Sequence, residues 1–316
     1  MGKSLARARD AVRRSGGLLR ASGRAGVVLL FAGALTGCAK GVLQPEGSIA
    51  AADSKILLDA VGIMSAIVVP TIVALVVIAW WFRASNTRAR YQPDFVYSGR
   101  IEIIVWGIPI LVIMFLGGLT WIGSHELDPY VPIKSSANDP PLDVQVISLD
   151  WKWLFIYPQQ HVASVNELVM PARTPVHFYL TSATVMNQFF VPQLGSMIAT
   201  MNGMQTQLYL KADRPGNYYG ISAQYSGDGF SGMHFTVHAV TRADFEKWVA
   251  ATQQNGPALD RNGYFNLLRE SCDVRPFTYR SADPSLFAAV VRRQLPPGPG
   301  PYVGRAGPGV RAVGCG

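Results

Sequence analysis

The chain has 316 residues, of which 49% are hydrophobic and only 15% are charged. A soluble domain typically carries roughly 25% charged residues, so this composition favours a protein with membrane-spanning segments. The net charge of +8 arises at the two ends of the chain and leaves the body between them close to neutral, which excludes an extended nucleic-acid-binding surface.

Residues 1–37 have the features of a secretory signal peptide. Seven basic residues lie within the first 24 positions, and a run of ten largely apolar residues, 26–35, follows them. This run is too short to span a bilayer, and Leu35-Thr36-Gly37-Cys38 fits the processing site of a bacterial lipoprotein. We therefore expect Cys38 to carry a lipid at the mature N-terminus; the alternative is a buried thiol at a chance Gly-Cys pair.

Two long apolar segments, 56–82 and 101–122, follow a periplasmic N-terminal stretch at residues 38–55. Each exceeds the roughly 20 residues that cross a bilayer as a helix. The loop between them, residues 83–100, carries four arginines, which places it in the cytoplasm by the positive-inside rule. The sequence thus predicts a two-span hairpin in a bacterial inner membrane, with the large C-terminal domain in the periplasm.

One ionisable residue, Glu102, lies just inside the second apolar segment. A carboxylate at this depth is costly and often marks a proton or ion path. It can also extend back to the membrane interface or pair with Arg100. Both interpretations remain open at this point.

After a polar, proline-containing linker at residues 123–141, the domain at 142–254 contains short alternating segments separated by turn residues. This pattern predicts an all-β sandwich or barrel. The predicted strands are 142–149, 165–170, 176–182, 205–211, 217–223 and 234–240.

Helices are predicted after the last strand. Thr241 and Asp244 have the spacing of a capping box, and Asp283 followed by Pro284 predicts the start of a helix at 285–293. The Pro- and Gly-rich tail at 296–316 is predicted to be disordered.

No metal site follows from cysteine or histidine spacing. Cys38, Cys272 and Cys315 are far apart, which argues against a thiolate cluster or a disulfide framework. His234 and His238 share one face of a predicted strand, but four residues of strand span about 13 Å, too far for one ion.

Several longer motifs define a resemblance. They are Arg83-Ala-Ser-Asn, Glu102-Ile-Ile-Val-Trp106-Gly-Ile-Pro109, Asp150-Trp-Lys-Trp-Leu-Phe-Ile-Tyr157, Val185-Met-Asn-Gln-Phe-Phe-Val-Pro192-Gln-Leu-Gly195 and Gln224-Tyr-Ser-Gly-Asp-Gly-Phe-Ser-Gly-Met-His-Phe235. Over roughly Cys38 to Arg293 the chain closely resembles subunit II of the haem–copper oxidases, in the cytochrome bo-type ubiquinol oxidase branch. The resemblance implies a cupredoxin-like sandwich after the helical hairpin, and an aromatic-rich helical appendage at 255–295.

The same resemblance identifies a copper centre that this chain does not retain. In cytochrome c oxidases a dinuclear copper centre takes one His from the sandwich and Cys, Glu, Cys, His and Met from a later loop. The matching positions here are Asn187, Tyr225, Gly227, Gly229, Met233 and Thr236. Because two bridging thiolates are indispensable to such a centre, we expect no cofactor in this chain and expect the haems and copper to lie in subunit I.

The resemblance also implies partners and roles. Glu102 matches a glutamate at the cytoplasmic mouth of a proton channel into subunit I, and Trp151 and Trp153 match an aromatic stretch expected to contact subunit I. The implied complex contains subunit I and further subunits, sits in membrane lipid, and takes electrons from quinol. Two alternatives remain: a membrane-anchored cupredoxin-like lipoprotein acting in assembly or copper delivery, and a cytochrome c oxidase subunit II.

Overall fold

The computed structural model describes residues 41–90, 92–134 and 140–298. The predicted signal peptide, the lipid attachment expected at Cys38 and the tail from residue 299 onward lie outside the described residues. Those three expectations therefore stay predictions.

All the elements described here lie within the unit that begins at residue 45. Its first two elements are the helices α1 (Ser48–Trp81) and α2 (Gly99–Glu126), both long and apolar enough to cross a membrane. At 34 residues α1 is about 51 Å long, more than the hydrocarbon thickness of a bilayer. The apolar side chains of α1 and α2 are mostly exposed on the surface of the chain, as expected for helices that face lipid or other membrane helices.

The described residues after the helices form thirteen strands. In chain order these are β1 (Leu142–Leu149), β2 (Lys152–Tyr157), β3 (Val162–Val165), β4 (Glu167–Pro171), β5 (Val176–Ser182), β6 (Asn187–Phe190), β7 (Ile198–Thr200), β8 (Thr206–Leu210), β9 (Gly216–Ser222), β10 (His234–Val240), β11 (Ala258–Leu259), β12 (Phe277–Tyr279) and β13 (Ser281–Ala282). One sheet has the order β12-β3-β2-β1-β5-β8 and the other β4-β10-β9-β6-β7, while β11 pairs with β13 alone. The two larger sheets pack into a sandwich, which agrees with the predicted fold class.

Aromatic side chains fill the space between the two sheets. Trp153 and Phe155 of β2 contact Phe189 of β6 and Phe235 of β10, with ring centroids 5.2–6.4 Å apart. All four rings are buried. Tilted and edge-on aromatic pairs add about 0.5–1.5 kcal/mol each beyond the burial of their area, so this cluster is a major contribution to the cohesion of the sandwich.

Three short helices follow the sandwich: α3 (Arg242–Gln254), α4 (Arg261–Leu267) and α5 (Leu286–Val291). Apolar side chains of α4 and α5, such as Phe287, pack on the outer face of the first sheet against residues such as Leu154. Both faces of that sheet are therefore covered, which explains why every residue of β2 is buried. β12 also pairs with β3 and protects this edge of the sheet.

The strand boundaries test the alternating patterns directly. Three predicted strands have their predicted bounds, namely 142–149, 176–182 and 234–240. The prediction of one strand over 165–170 was wrong, because the chain passes there from β3 in one sheet to β4 in the other. Asn166 makes this transition with a left-handed φ of 55°, and its Oδ1 accepts a hydrogen bond from Trp153 N at 2.8 Å.

The helix signals were partly right. Thr241 caps α3, with its Oγ1 accepting from Asp244 N at 3.2 Å. Asp283 was expected to cap the last helix, but its Oδ1 instead accepts from Ser285 N at 2.8 Å, and the helix begins at Leu286. An Asp-Pro pair thus forms a side-chain-stabilised turn ahead of the helix.

The start of α1 is joined to the sandwich. Glu46 N donates to Gln193 O at 2.8 Å, and Ala50 N, in the first turn of α1, donates to Leu194 O at 3.3 Å. Ser196 Oγ donates to Asp53 Oδ2 at 2.8 Å. Backbone groups that a helix N-terminus leaves without intrahelical partners are thereby satisfied by the sandwich, so α1 and the sandwich are directly connected.

We expect Gly47→Ala to loosen this junction. A Cβ at Gly47 would lie 2.5 Å from Lys211 O and 2.7 Å from Leu194 O, both backbone atoms that cannot move aside cheaply. Thermal unfolding of the full chain in detergent should show a destabilisation of about 1–3 kcal/mol, as for other overpacked sites.

Gly62→Ala is the matched control, because nothing lies within 4 Å of a Cβ at that position of α1. It should leave stability unchanged or slightly raised, since Ala is the better helix former by up to about 1 kcal/mol. Equal behaviour of the two variants would contradict the proposed close contact.

Candidate functional site

The segment between β9 and β10, residues 223–233, is the loop in which the resemblance places most of the copper ligands. It turns at Gly227, whose φ of 110° is accessible to glycine and strained for other residues. It ends in a 3-10 turn at Phe230–Gly232, and Met233 N donates back to Phe230 O at 3.0 Å. The loop therefore has a defined conformation stabilised by its own hydrogen bonds.

A buried indole lies beneath this loop. Trp151 is fully buried, has a left-handed φ of 62°, and donates from Nε1 to Ser226 O at 3.1 Å. A Cβ at Gly229 would collide with the Trp151 ring, so the loop backbone packs directly on the indole. Non-glycine residues adopt a left-handed φ only at an energetic cost, which here is offset by this packing and hydrogen bond.

The six positions matched to copper ligands do not offer a ligand set. Asn187 is buried on β6, and its Oδ1 accepts from Ser222 Oγ at 3.0 Å, so its amide is already engaged. Met233 is buried in the core, whereas Tyr225 is 68% exposed and contacts the ring of Phe230 at 5.5 Å. The available donors are an amide, a thioether and a phenol, with no thiolate, imidazole or carboxylate among them.

The remaining positions add no donor of the required kind. Gly227 and Gly229 have no side chains, and Thr236 is half-buried on β10 with its N donating to Asn166 O at 3.2 Å. His234, one residue from Met233, is exposed beside Tyr219 and on the opposite side of β10 from the buried Phe235. Over the described part of the chain, no three His, Cys, Asp or Glu side chains cluster as a metal site. These residues do not fit a dinuclear copper centre.

Trp153 lies deeper than Trp151, within the aromatic core. Its ring is fully buried, and its Nε1 has no hydrogen-bond partner among the described residues. Both tryptophans are covered by side chains and loops of this chain. Contact of this stretch with subunit I stays a prediction, and Tyr225 is an exposed large side chain of the loop.

Lys152, between the two tryptophans, is a buried cation that the sequence analysis missed. Its Nζ donates to Arg269 O at 2.8 Å, to Ser271 Oγ at 2.6 Å and to Asp150 O at 3.3 Å. Two of these acceptors belong to residues after α4, so the ammonium group attaches the helical appendage to the end of β2. A Lys flanked by two aromatic residues at the start of a fully buried strand was the available signal.

Burial controls the charge of this lysine. Loss of hydration lowers the pKa of Lys152 to about 8, while the nearby charges of Asp150 and Glu270 act in the opposite direction. The ammonium form is therefore disfavoured relative to a solvated lysine, although its three donors are all used.

Cys272 contacts the same region from the appendage. A Cβ at Gly229 would collide with its Sγ as well as with Trp151. The loop is therefore packed between an indole of the sandwich and a sulfur atom of the appendage.

Glu102 lies in the first turn of α2, at the other end of the protein from the sandwich junction of α1. Its side chain is exposed, and its Oε2 accepts a hydrogen bond from the indole Nε1 of Trp106 at 2.9 Å. Trp106 is the one described residue whose side chain donates to this carboxylate, and no ion pair joins it to Arg100 within the described residues. The geometry therefore does not support pairing with Arg100.

The sandwich and its loop match a known domain family. A family sequence model described as the periplasmic domain of cytochrome c oxidase subunit II matches residues 142–240, from β1 to the end of β10. Among solved structures, the periplasmic domain of subunit II of a cytochrome oxidase from Bradyrhizobium japonicum is 22% identical, covers 39% of this chain and 98% of that one, and has a TM-score of 0.36.

Relatives that match most of the chain identify its family more narrowly. The chain is 44% identical over 259 residues to cytochrome bo(3) ubiquinol oxidase subunit 2 of Pseudomonas aeruginosa, covering 82% of this chain and 78% of the relative. It is 44% identical over 260 residues to ubiquinol oxidase subunit 2 of Acetobacter aceti, covering 82% and 84%. The chain belongs to the family of ubiquinol oxidase subunit 2.

We expect the stability of the protein to rise between about pH 8 and the ordinary lysine range because of Lys152. A group whose pKa is lowered on folding binds more protons in the unfolded state, so the free energy of unfolding increases as pH rises through this window. The lowering of the pKa from 10.5 to about 8 corresponds to an increase in the free energy of unfolding of the order of 3 kcal/mol across this pH window.

Denaturant unfolding at several pH values would measure this slope in wild type and Lys152→Met. The variant should lack the increase that wild type shows. Lys247→Met is the control, because Lys247 is exposed on α3 and should keep the wild-type slope. Parallel curves for wild type and Lys152→Met would contradict the assignment.

Proposed function

We propose that this chain is the copper-free subunit II of a terminal quinol oxidase in an aerobic respiratory chain. The complex oxidises ubiquinol, reduces dioxygen to water and moves protons across the inner membrane. The observation that carries this proposal is the loop at residues 223–233, which keeps an ordered conformation on Trp151 while its side chains offer no copper ligand set.

The route of electrons follows from that chemistry. A dinuclear copper centre delocalises its unpaired electron through two bridging thiolates, and neither amide nor thioether donors can replace them. An electron therefore has no acceptor in this sandwich, and quinol delivers electrons to haem in subunit I. The haems and the copper of the complex belong to that subunit, and this chain bears no redox cofactor.

The membrane arrangement is a hairpin with both outer ends in the periplasm. The arginines between α1 and α2 face the cytoplasm, and the sandwich at 142–254 with its appendage at 255–295 lies in the periplasm. A signal peptide at 1–37 and a lipid on Cys38 agree with the same orientation, because lipoprotein processing occurs on the periplasmic side. Two spans exceed one acyl chain in membrane affinity, so the lipid supplements the anchor.

The sandwich supports subunit I through its loop end. Trp151 and Trp153 hold the loop and the aromatic core in place, and the exposed Tyr225 presents a large amphipathic ring beside them. Aromatic residues of this kind are enriched in protein interfaces. The buried tryptophans thus contribute to the contact by fixing the surface that subunit I meets.

Glu102 contributes to proton uptake at the cytoplasmic end of α2. Its carboxylate lies in the first turn of a membrane helix, and the hydrogen bond from Trp106 orients one oxygen along the helix toward the membrane. The other oxygen is available to exchange a proton with cytoplasmic water. A carboxylate at the interface that is oriented into the span suits the entrance of a proton path.

Turnover of the purified complex with two electron donors tests the proposed function. We expect oxidation of ubiquinol coupled to oxygen consumption, and only background rates with reduced cytochrome c, because no copper centre is present to receive its electrons. Rapid oxidation of cytochrome c, or purification of the chain without a haem-bearing partner, would contradict the proposal.

Replacement of Glu102 by Ala tests its role in proton uptake. Oxygen consumption by the complex should fall severalfold, because the proton path loses the carboxylate at its entrance. Haem content per complex should be unchanged, since the side chain is exposed and supports no packing in this chain.

The control is Glu126→Ala, which removes a carboxylate from the opposite end of the same helix. It should leave turnover near the wild-type rate. If the Glu102→Ala complex also consumed oxygen at the wild-type rate, Glu102 would have no role in proton uptake and would only extend to the membrane interface.

A further inference from the structure

The connection between α1 and α2 carries a concentrated positive charge. Arg83, Arg88 and Arg90 lie in it, Arg100 follows in the first turn of α2, and the one acidic residue of the connection is Asp94. All four arginines are exposed, and none forms an ion pair within the described residues. The positive charge of this turn is therefore not neutralised by carboxylates of the described chain.

One of these guanidinium groups is held in position. Arg83 lies over the ring of Trp80 with 4.9 Å between its Cζ and the ring centroid, a cation–π contact. Its Nε donates to Ser85 Oγ at 2.9 Å and its Nη1 to Trp80 O at 3.2 Å. Among the described residues no acceptor binds Nη2, which can therefore donate to an external acceptor. Because the side chain is already ordered, less entropy is lost when an acceptor binds.

The backbone of the turn is ordered around the same site. Asn86 Nδ2 donates to Trp81 O at 2.6 Å, which satisfies a carbonyl at the end of α1, and Asn86 Oδ1 accepts from Arg88 N at 3.2 Å. These two bonds bring the start of the arginine-rich segment back toward the helix end. Arg83 and Arg88 are thus presented by one compact turn.

The same connection exposes large apolar side chains. Phe95, Val96 and Tyr97 are 58%, 91% and 73% exposed, close to the start of α2. Trp80 and Trp81 are exposed at the end of α1. At a membrane surface, exposed apolar side chains can contact acyl chains while nearby arginines bind the charged headgroups. An acidic soluble partner would match the arginines and leave the apolar side chains in water.

We propose that this turn, in which Arg83 lies over Trp80 and is followed by the exposed Arg88 and Arg90, is a binding site for the headgroup of an anionic membrane phospholipid. The phosphate oxygens accept from the free guanidinium edges, which match phosphate geometry with paired donors. Acyl chains lie along Trp80 and Trp81 and beside the exposed Phe95. The site requires only that the two helices span a bilayer, so its failure and that of the oxidase function are distinguishable.

The test uses the purified oxidase complex in nanodiscs that contain phosphatidylethanolamine and phosphatidylglycerol. Native mass spectrometry counts the phospholipids that stay bound after release from the disc. We expect wild type to retain phosphatidylglycerol selectively. Arg88→Gln with Arg90→Gln should bind it roughly thirtyfold more weakly, because each arginine near an anionic surface contributes several-fold to affinity.

Arg292→Gln is the matched control, because Arg292 is an exposed arginine at the end of α5, in the appendage. It should retain phosphatidylglycerol as wild type does. Equal retention by the double variant, or equal retention of phosphatidylethanolamine by wild type, would overturn the proposal.

Because arginines in this turn also favour its cytoplasmic orientation, the double variant can fail to assemble. A photoactivatable phosphatidylglycerol on the wild-type complex then decides the matter. We expect it to label the peptide that contains residues 80–100, and unlabelled phosphatidylglycerol but not phosphatidylethanolamine should reduce the labelling at least severalfold. Labelling elsewhere only, as when subunit I covers the turn, would overturn the proposal.

Discussion

The packing of the 223–233 loop on Trp151 is the interaction on which the loop end of the sandwich depends. A loop that binds metal is held by several strong bonds to the ion, and its conformation follows from them. Here an indole ring, one hydrogen bond from Nε1 to Ser226 O and the sulfur of Cys272 take that place. Such contacts tolerate little change in shape, because a close-packed interior has no room for an added methyl group. Gly229 is needed for this reason.

The appendage extends the same principle to the other side of the sheet. β2 has the aromatic core on one face and the appendage on the other, so its residues are all buried, including Lys152. Burying an ammonium group is unfavourable unless its donors are satisfied. The acceptors at Arg269 and Ser271 meet that need, and they also fix where the appendage can lie. Sandwich, loop and appendage therefore converge on the three residues from Trp151 to Trp153.

Much of this could be predicted from sequence because alternation reports burial on one face of a strand, as in β10, where every second residue is buried. It failed at Asn166, where a single left-handed residue moves the chain between sheets without changing the β-rich composition. α1 begins eight residues before the apolar segment predicted from residue 56, since Ser48 to Lys55 are only moderately apolar and dock on the sandwich. Lys152 was missed because lysine usually indicates solvent, whereas the missing copper ligands and the isolated Glu102 were evident from residue types alone.

The junction at the start of α1 has a mechanical consequence. The helix runs from its hydrogen bonds with Leu194 to Trp81 as one element, with Pro70 inside it, so the sandwich and the turn that contains Arg83 are attached to the two ends of the same helix. Over a length of about 51 Å, a tilt of about 5° displaces one end by about 4 Å relative to the other. Membrane helices adjust their tilt to the thickness of the bilayer. The height and orientation of a domain in the aqueous phase are thereby linked to the thickness of the hydrocarbon layer below it.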